Sequence, residues 1–115
     1  MRTLNDYFIT STIADISTAS STFVAIPDGG KVIKIITAFQ GAVSGGDAAI
    51  TFEIGGTAIT GSAITVANSG SAAGDVDTAT PTAATRVEEG GSIEMITDGA
   101  SSNTIKLVVT FVIRR

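Results

Sequence analysis

Thr104-Ile105-Lys106-Leu107-Val108-Val109-Thr110-Phe111-Val112-Ile113 is the stretch on which the reading of this chain turns. On an extended backbone Ile105, Leu107, Val109, Phe111 and Ile113 share one face, and Lys106, Val108, Thr110, Val112 and Arg114 share the other. The period of two, built largely from β-branched residues stiff at χ1, predicts a strand. The pattern recurs upstream. Residues 48–54 set Ala48, Ile50, Phe52 and Ile54 inward against Ala49, Thr51 and Glu53 outward. In residues 92–97, Ile93 and Met95 oppose Glu94 and Ile96. Tyr7, Ile9 and Ile13 share a face in residues 7–16, with Thr10 and Thr12 on the other, and residues 22–26 form a further strand. In residues 31–40, Val32, Ile33, Ile35, Ile36 and Phe39 are apolar on both faces; periodicity alone allows a short buried helix, and β-branching decides for a strand.

Turns punctuate these runs. Pro27-Asp28-Gly29-Gly30, Gly55-Gly56, Glu88-Glu89-Gly90-Gly91 and Asp98-Gly99 supply fixed or positive φ where the chain must reverse. Between them lies a five-residue echo, Gly56-Thr57-Ala58-Ile59-Thr60 and Gly61-Ser62-Ala63-Ile64-Thr65. Two copies are too few for a solenoid and read as two short strands joined by a bend. Residues 67–85 hold one large apolar side chain, Val76, among Ala, Gly, Ser, Thr, Asp and Pro81. They are expected to be either an extended segment across the sheets or an arm ordered by a neighbour. Turn signals about every 8–12 residues predict about eight strands in an all-β, single-domain, jelly-roll-like antiparallel β-sandwich. The domain spans 1–115, with an N-terminal arm at 1–6 and the long extended segment at 67–85.

Composition agrees. Thr, Ile and Val supply 41 of 115 residues, while Leu occurs twice and Lys three times, which excludes a helical bundle. With no Cys and no His, the chain has no disulfide framework, no thiolate nucleophile, no Cys metal site and no imidazole general base, and it lacks the commonest zinc ligand. A net charge of −4 argues against a nucleic-acid partner, which calls for a basic face. No apolar run approaches the length of a membrane span, and residues 1–6 hold no signal-peptide core; the protein is expected to be made in a cytosol and to stay soluble there.

Few residues carry chemistry. Asp75 and Asp77 would share a face of a strand, but calcium takes six to eight oxygens. No Asp-x-Asp-x-Asp-Gly loop surrounds them, so they read as solvated loop acids. Glu88 and Glu89 read as turn solvation, and a glycosidase pair would want aromatic platforms that a chain with one Tyr and no Trp lacks. The Gly-rich stretches at 41–46 and 55–61 match no phosphate-binding loop. Arg114 and Arg115 could meet an acidic partner or keep a terminus in water. No catalytic, cofactor-binding or metal residue is assigned, no cofactor is expected, and the chain reads as a non-enzyme. Apolar residues on both faces of 31–40 and 104–113 predict that subunits cover one another.

A string of short motifs resembles the small head decoration (cement) proteins of tailed bacteriophages. It runs Phe23-Val24-Ala25-Ile26-Pro27-Asp28-Gly29-Gly30-Lys31-Val32, Ala48-Ala49-Ile50-Thr51-Phe52-Glu53-Ile54-Gly55-Gly56, Gly70-Ser71-Ala72-Ala73-Gly74-Asp75-Val76, Glu89-Gly90-Gly91-Ser92-Ile93 and Thr97-Asp98-Gly99. The order covers residues 22–113. The resemblance implies a jelly roll, a homotrimer, and a place on the outer capsid surface of a virion, where it clamps neighbouring major capsid proteins. That family shares no catalytic site, so no functional residue is carried over. Two other readings keep the fold class. One is a receptor- or glycan-binding β-domain of a phage tail or adhesin, against which the scarcity of aromatics counts. The other is a cupin-like enzyme, against which the absence of His counts. Residues 1–6 and 67–85, poor in apolar content, are expected to gain order from a neighbouring subunit or the shell and to be the gripping surfaces.

Overall fold

The computed structural model describes residues 5–115. Ten strands follow one another: β1 (Asp6–Ile13), β2 (Ser20–Ala25), β3 (Gly30–Phe39), β4 (Ala48–Ile54), β5 (Thr57–Ala58), β6 (Ile64–Val66), β7 (Val76–Ala79), β8 (Arg86–Val87), β9 (Ser92–Thr97) and β10 (Leu107–Arg114). They form two five-stranded antiparallel sheets. The first runs β1-β10-β3-β7 with β8 also on β3; the second runs β2-β9-β4-β5 with β6 also on β4. β1 and β2 each lie at one edge of a different sheet, with the late strands β10 and β9 as their respective neighbours. This is the antiparallel β-sandwich that the strand spacing predicts, with ten described strands where about eight are expected.

Alternation does the folding work. Leu107, Val109, Phe111 and Ile113 of β10 are fully buried, as are Ile50 and Phe52 of β4 and Ile93 and Met95 of β9. Phe52 and Phe111 meet across the two sheets edge to face, with ring centroids 5.7 Å apart, the geometry the aromatic quadrupole favours.

The two-faced run of β3 has a local cause. The β10–β3 register shifts between Val112, opposite Lys34, and Ile113, opposite Val32, leaving Ile33 as the extra residue of a bulge. Val32, Ile35, Thr37 and Phe39 therefore all point inward, Ile33 stays half-buried, and Lys34, Ile36 and Ala38 face out.

Strand ends differ from expectation where side chains take over the backbone. β1 stops at Ile13 because the Asp15 carboxylate accepts hydrogen bonds from Ser17 N–H (2.8 Å), Ser17 Oγ (2.6 Å) and Thr18 Oγ1 (3.1 Å), closing a turn. These bonds, the Ser17 hydroxyl first, hold the Asp15 carboxyl below its ordinary range. Residues 104–106 lie beside the ladder: Ile105 is buried, but its carbonyl accepts from Ile16 N–H and that of Lys106 from Gln40 N–H. In the turn before β3, Gly29 has φ 66°, and Tyr7 donates its hydroxyl to the Gly29 carbonyl at 2.8 Å.

The stretch 67–85 is tied down by this chain's own backbone. Phe39 N–H donates to Asp75 O and Gly74 N–H to Phe39 O; β7 then pairs along β3, and Val32 N–H donates to Thr85 O. Thr60 and Ala83 form a further antiparallel bridge. The expectation that this stretch owes its order mainly to a neighbour is corrected: backbone hydrogen bonds replace the missing apolar burial. Of the arm at 1–6, residues 1–4 lie outside the described residues. Asp6 opens β1, and its carboxylate, 1% exposed, accepts two hydrogen bonds from Arg114, at 2.8 Å from Nε and 3.1 Å from Nη2.

Candidate functional site

The sandwich leaves two outer sheet faces of opposite character. On the first sheet, β1, β10, β3 and β7 align their outward residues in cross-strand rows. Phe8, Val112 and Lys34 make one; Thr10, Thr110, Ile36 and Thr78 the next; Thr12, Val108, Ala38 and Val76 the third. Lys34 is the single charge in these three rows, whereas the row beside them, Asp6, Arg114, Lys31 and Arg86, is charged throughout. Val112 is buried at 5% exposure, Val108, Thr110 and Ile36 are half-buried, and Val76 is 62% exposed. Across the row, Thr10 and Thr110 hydroxyls lie 3.1 Å apart. The surplus of apolar residues anticipated on two strands is thus partly absorbed, by the bulge in β3 and the burial of Val112, and the remainder forms an apolar and Thr-rich patch bordered on one side by the charged row.

On the second sheet, one row runs Phe23, Glu94, Glu53, Ala58 and the next Ser21, Ile96, Thr51. Glu53 and Glu94 are directly opposed on neighbouring strands, an arrangement in which like charges repel. Among the described residues neither forms an ion pair, whereas Arg114 pairs with Asp6, Arg115 with Asp28 at 2.7 Å, and Arg86 with Glu88 at 4.0 Å. Phe23, beside them, is 65% exposed.

The residues singled out for chemistry disperse. The Asp75 carboxylate accepts from Ala72 N–H at 2.8 Å and so closes its own turn. Asp75 and Asp77 line an open hollow of about 230 Å³ with Val66, Ala67, Ser69, Gly70, Ser71 and Val76. Among the described residues no three acids gather as a possible metal-ligand set. Glu88 and Glu89 sit in the β8–β9 turn, where Gly91 N–H donates to Glu88 O. Arg114 and Arg115 are taken up by acids of the same chain, and the Arg115 guanidinium lies 5.8 Å from the centroid of the Tyr7 ring. No described helix is long and apolar enough to cross a membrane. The Glu53–Glu94 opposition was not foreseen; both acids are plain in the sequence as outward strand positions, but only the register brings them together.

No protein-family model matches the chain, and no curated protein matches it. Solved structures do. The chain overlays a chain of the acid-stable capsid of Helicobacter pylori bacteriophage KHP30 with a TM-score of 0.61 at 14% identity, covering 96% of this chain and 87% of that one. It overlays a chain of the capsid asymmetric unit of cyanophage Pam1 with a TM-score of 0.58 at 18% identity, covering 95% and 85%. At these identities the likeness is one of fold: this chain shares its β-sandwich, over nearly its whole length, with chains from the capsids of two phages.

Proposed function

We propose that this protein is a structural component of a phage virion that decorates the outer capsid surface and bridges neighbouring major capsid proteins as a homotrimer. The observation that supports it best is the near-complete overlay on chains from two phage capsid structures. The apolar and Thr-rich patch on the outer face of the first sheet, around Val108, Thr110, Ile36 and Val76, supplies a surface of the kind that subunits cover. The role needs no catalytic group. Packaged DNA presses outward on the shell, and a clamp across capsomers raises the cost of separating them. Three weak contacts held in one trimer bind as a multivalent unit, far tighter than one alone. Threefold closure suits threefold and quasi-threefold positions on an icosahedral shell. Residues 1–6 and 67–85 are the proposed gripping segments.

The test mixes purified protein with undecorated heads and sediments them. Co-sedimentation that saturates is expected; none with any matching head overturns the reading. Light scattering at micromolar concentration should return three times the 11.5 kDa of one chain, and a monomer there removes the trimer. Because Asp6 belongs to β1, the informative truncation removes residues 1–4 and should weaken attachment with little change in the thermal midpoint.

A further inference from the structure

The sandwich treats its edges unequally. The far edge of the second sheet is split between β5, two residues, and β6, three; that of the first sheet between β7, four, and β8, two. Short, broken edge strands are a usual guard against pairing with another chain. β2 has no such guard. Its six residues, Ser20–Ala25, hold an unbroken register on β9 and contain no charge and no proline.

In an antiparallel ladder alternate residues turn their N–H and C=O toward the partner strand, and the others turn theirs away. Ile26, just past β2, faces the β9 side: its N–H donates to Gly91 O at 2.8 Å and its carbonyl accepts from Gly90 N–H at 2.9 Å. Counting back by two assigns Val24 and Thr22 to that side, and Ser21, Phe23 and Ala25 to the open side. All three are exposed, and no described residue of another strand pairs with them there.

The side chains above this edge define what fits it. Phe23 projects onto the outer face, and the next two positions in its row are the opposed Glu94 and Glu53, which form no ion pair among the described residues. We infer that the open edge of β2 is a strand-acceptor site for an extended segment of a partner protein carrying Lys or Arg opposite Phe23. A strand added at the usual spacing places that residue two strand widths, about 10 Å, from β9. From there a long basic side chain crosses the Phe23 ring and brings its charge toward Glu94, combining cation–π attraction with relief of the carboxylate repulsion. A second copy of this chain pairing β2 with β2 fits poorly, since each copy would bring the same acids and no base to the row. The inference goes beyond the capsid reading and stands without it.

The test uses the isotope-labelled full chain and a capped heptapeptide of alternating Thr and Val with Lys at its centre. Expected are shifts and slowed exchange at the Ser21, Phe23 and Ala25 amides, with a dissociation constant of about 1 mM. The same peptide with Glu at its centre should bind about tenfold more weakly or worse. Ser21→Pro removes an outward-facing donor and leaves the β9 ladder whole, so it should abolish the shifts while the rest of the spectrum stays folded. Phe23→Ala, at an exposed site, should weaken the Lys peptide and leave folding intact, which keeps the test decisive if the proline variant fails to fold. Unmoved amides at saturating Lys peptide, or equal binding of the Lys and Glu peptides, overturn the inference. Concentration-dependent broadening at β2 without peptide overturns it too, in favour of a second copy.

Discussion

Replacing Phe111 tests how the two sheets are held together. Its ring is fully buried on β10 and meets the equally buried Phe52 of β4 edge to face at 5.7 Å. Truncation to Ala removes the burial of a whole phenyl group and leaves a void, which costs about 3–5 kcal/mol. A chain of this length has a net stability on the order of 6–17 kcal/mol, so the variant should fold with a large fraction of its margin gone. At about 4 °C per kcal/mol for this size, Phe111→Ala should lower the thermal midpoint by roughly 12–20 °C. Leu separates area from ring geometry. Phe111→Leu and Phe52→Leu should each cost under about 2 kcal/mol, because most of the apolar volume is kept. A double-mutant cycle on the two Leu variants, read from urea unfolding, should return a coupling of about 0.5–1.5 kcal/mol. A Phe111→Ala variant that loses less than about 1 kcal/mol would refute the packing argument. Coupling of zero within error would show that the ring geometry adds nothing beyond buried area.

Three further outcomes follow from particular residues. Gly30 has φ 132°, and a Cβ there would stand 2.6 Å from the Arg114 carbonyl oxygen; Gly30→Ala should cost about 2 kcal/mol or more by thermal melting, against about 1 kcal/mol for Gly90→Ala, whose Cβ would meet nothing. Equal costs would remove the steric account. The Asp15 carboxyl is held below its ordinary value in the fold, so the stability it adds is present above the ordinary carboxylate pKa and is lost as pH falls through the lower, folded one. The midpoint of Asp15→Asn should therefore fall less than that of the parent between about pH 4 and pH 2, and parallel curves would sink this. Thr110→Glu, in the middle row of the first sheet's outer face, should change stability by less than about 1 kcal/mol yet abolish both the trimer and attachment to heads; retention of both would free that face of any role.

The sequence shows the fold where side chains alone decide it. β4 and β9 begin and end where their alternation does, and the inward face of β10 is the one its period of two dictates. It is silent where the backbone decides. β7 has one large apolar residue, yet it docks on β3 through ladder hydrogen bonds that any sequence can make. The bulge at Ile33 hides because the extra residue is itself apolar and continues the run. Of the two outer faces, the composition of each strand was readable, but the rows were not. Glu53 and Glu94 become neighbours, and Phe23 joins them, only once β2, β9 and β4 are set in register. Asp6 and Arg114, 108 residues apart, carry no local signal of their pairing.

That pairing also sets a clock on synthesis. β10 lies between β1 and β3 at the centre of the first sheet, so neither neighbour can complete its ladder until residues 107–114 exist. A ribosome adding roughly 5–20 residues per second makes Asp6 about 5–20 s before Arg114. Throughout that interval the emerging β1 and β3 have no middle strand to join them, and neighbouring nascent chains on one message carry the same unpaired strands. The first sheet must therefore close in a late, long-range step, slow by the standards of small domains, and the yield of folded protein should respond to translation spacing and to chaperones that shield exposed strands before it responds to the stability of the finished sandwich.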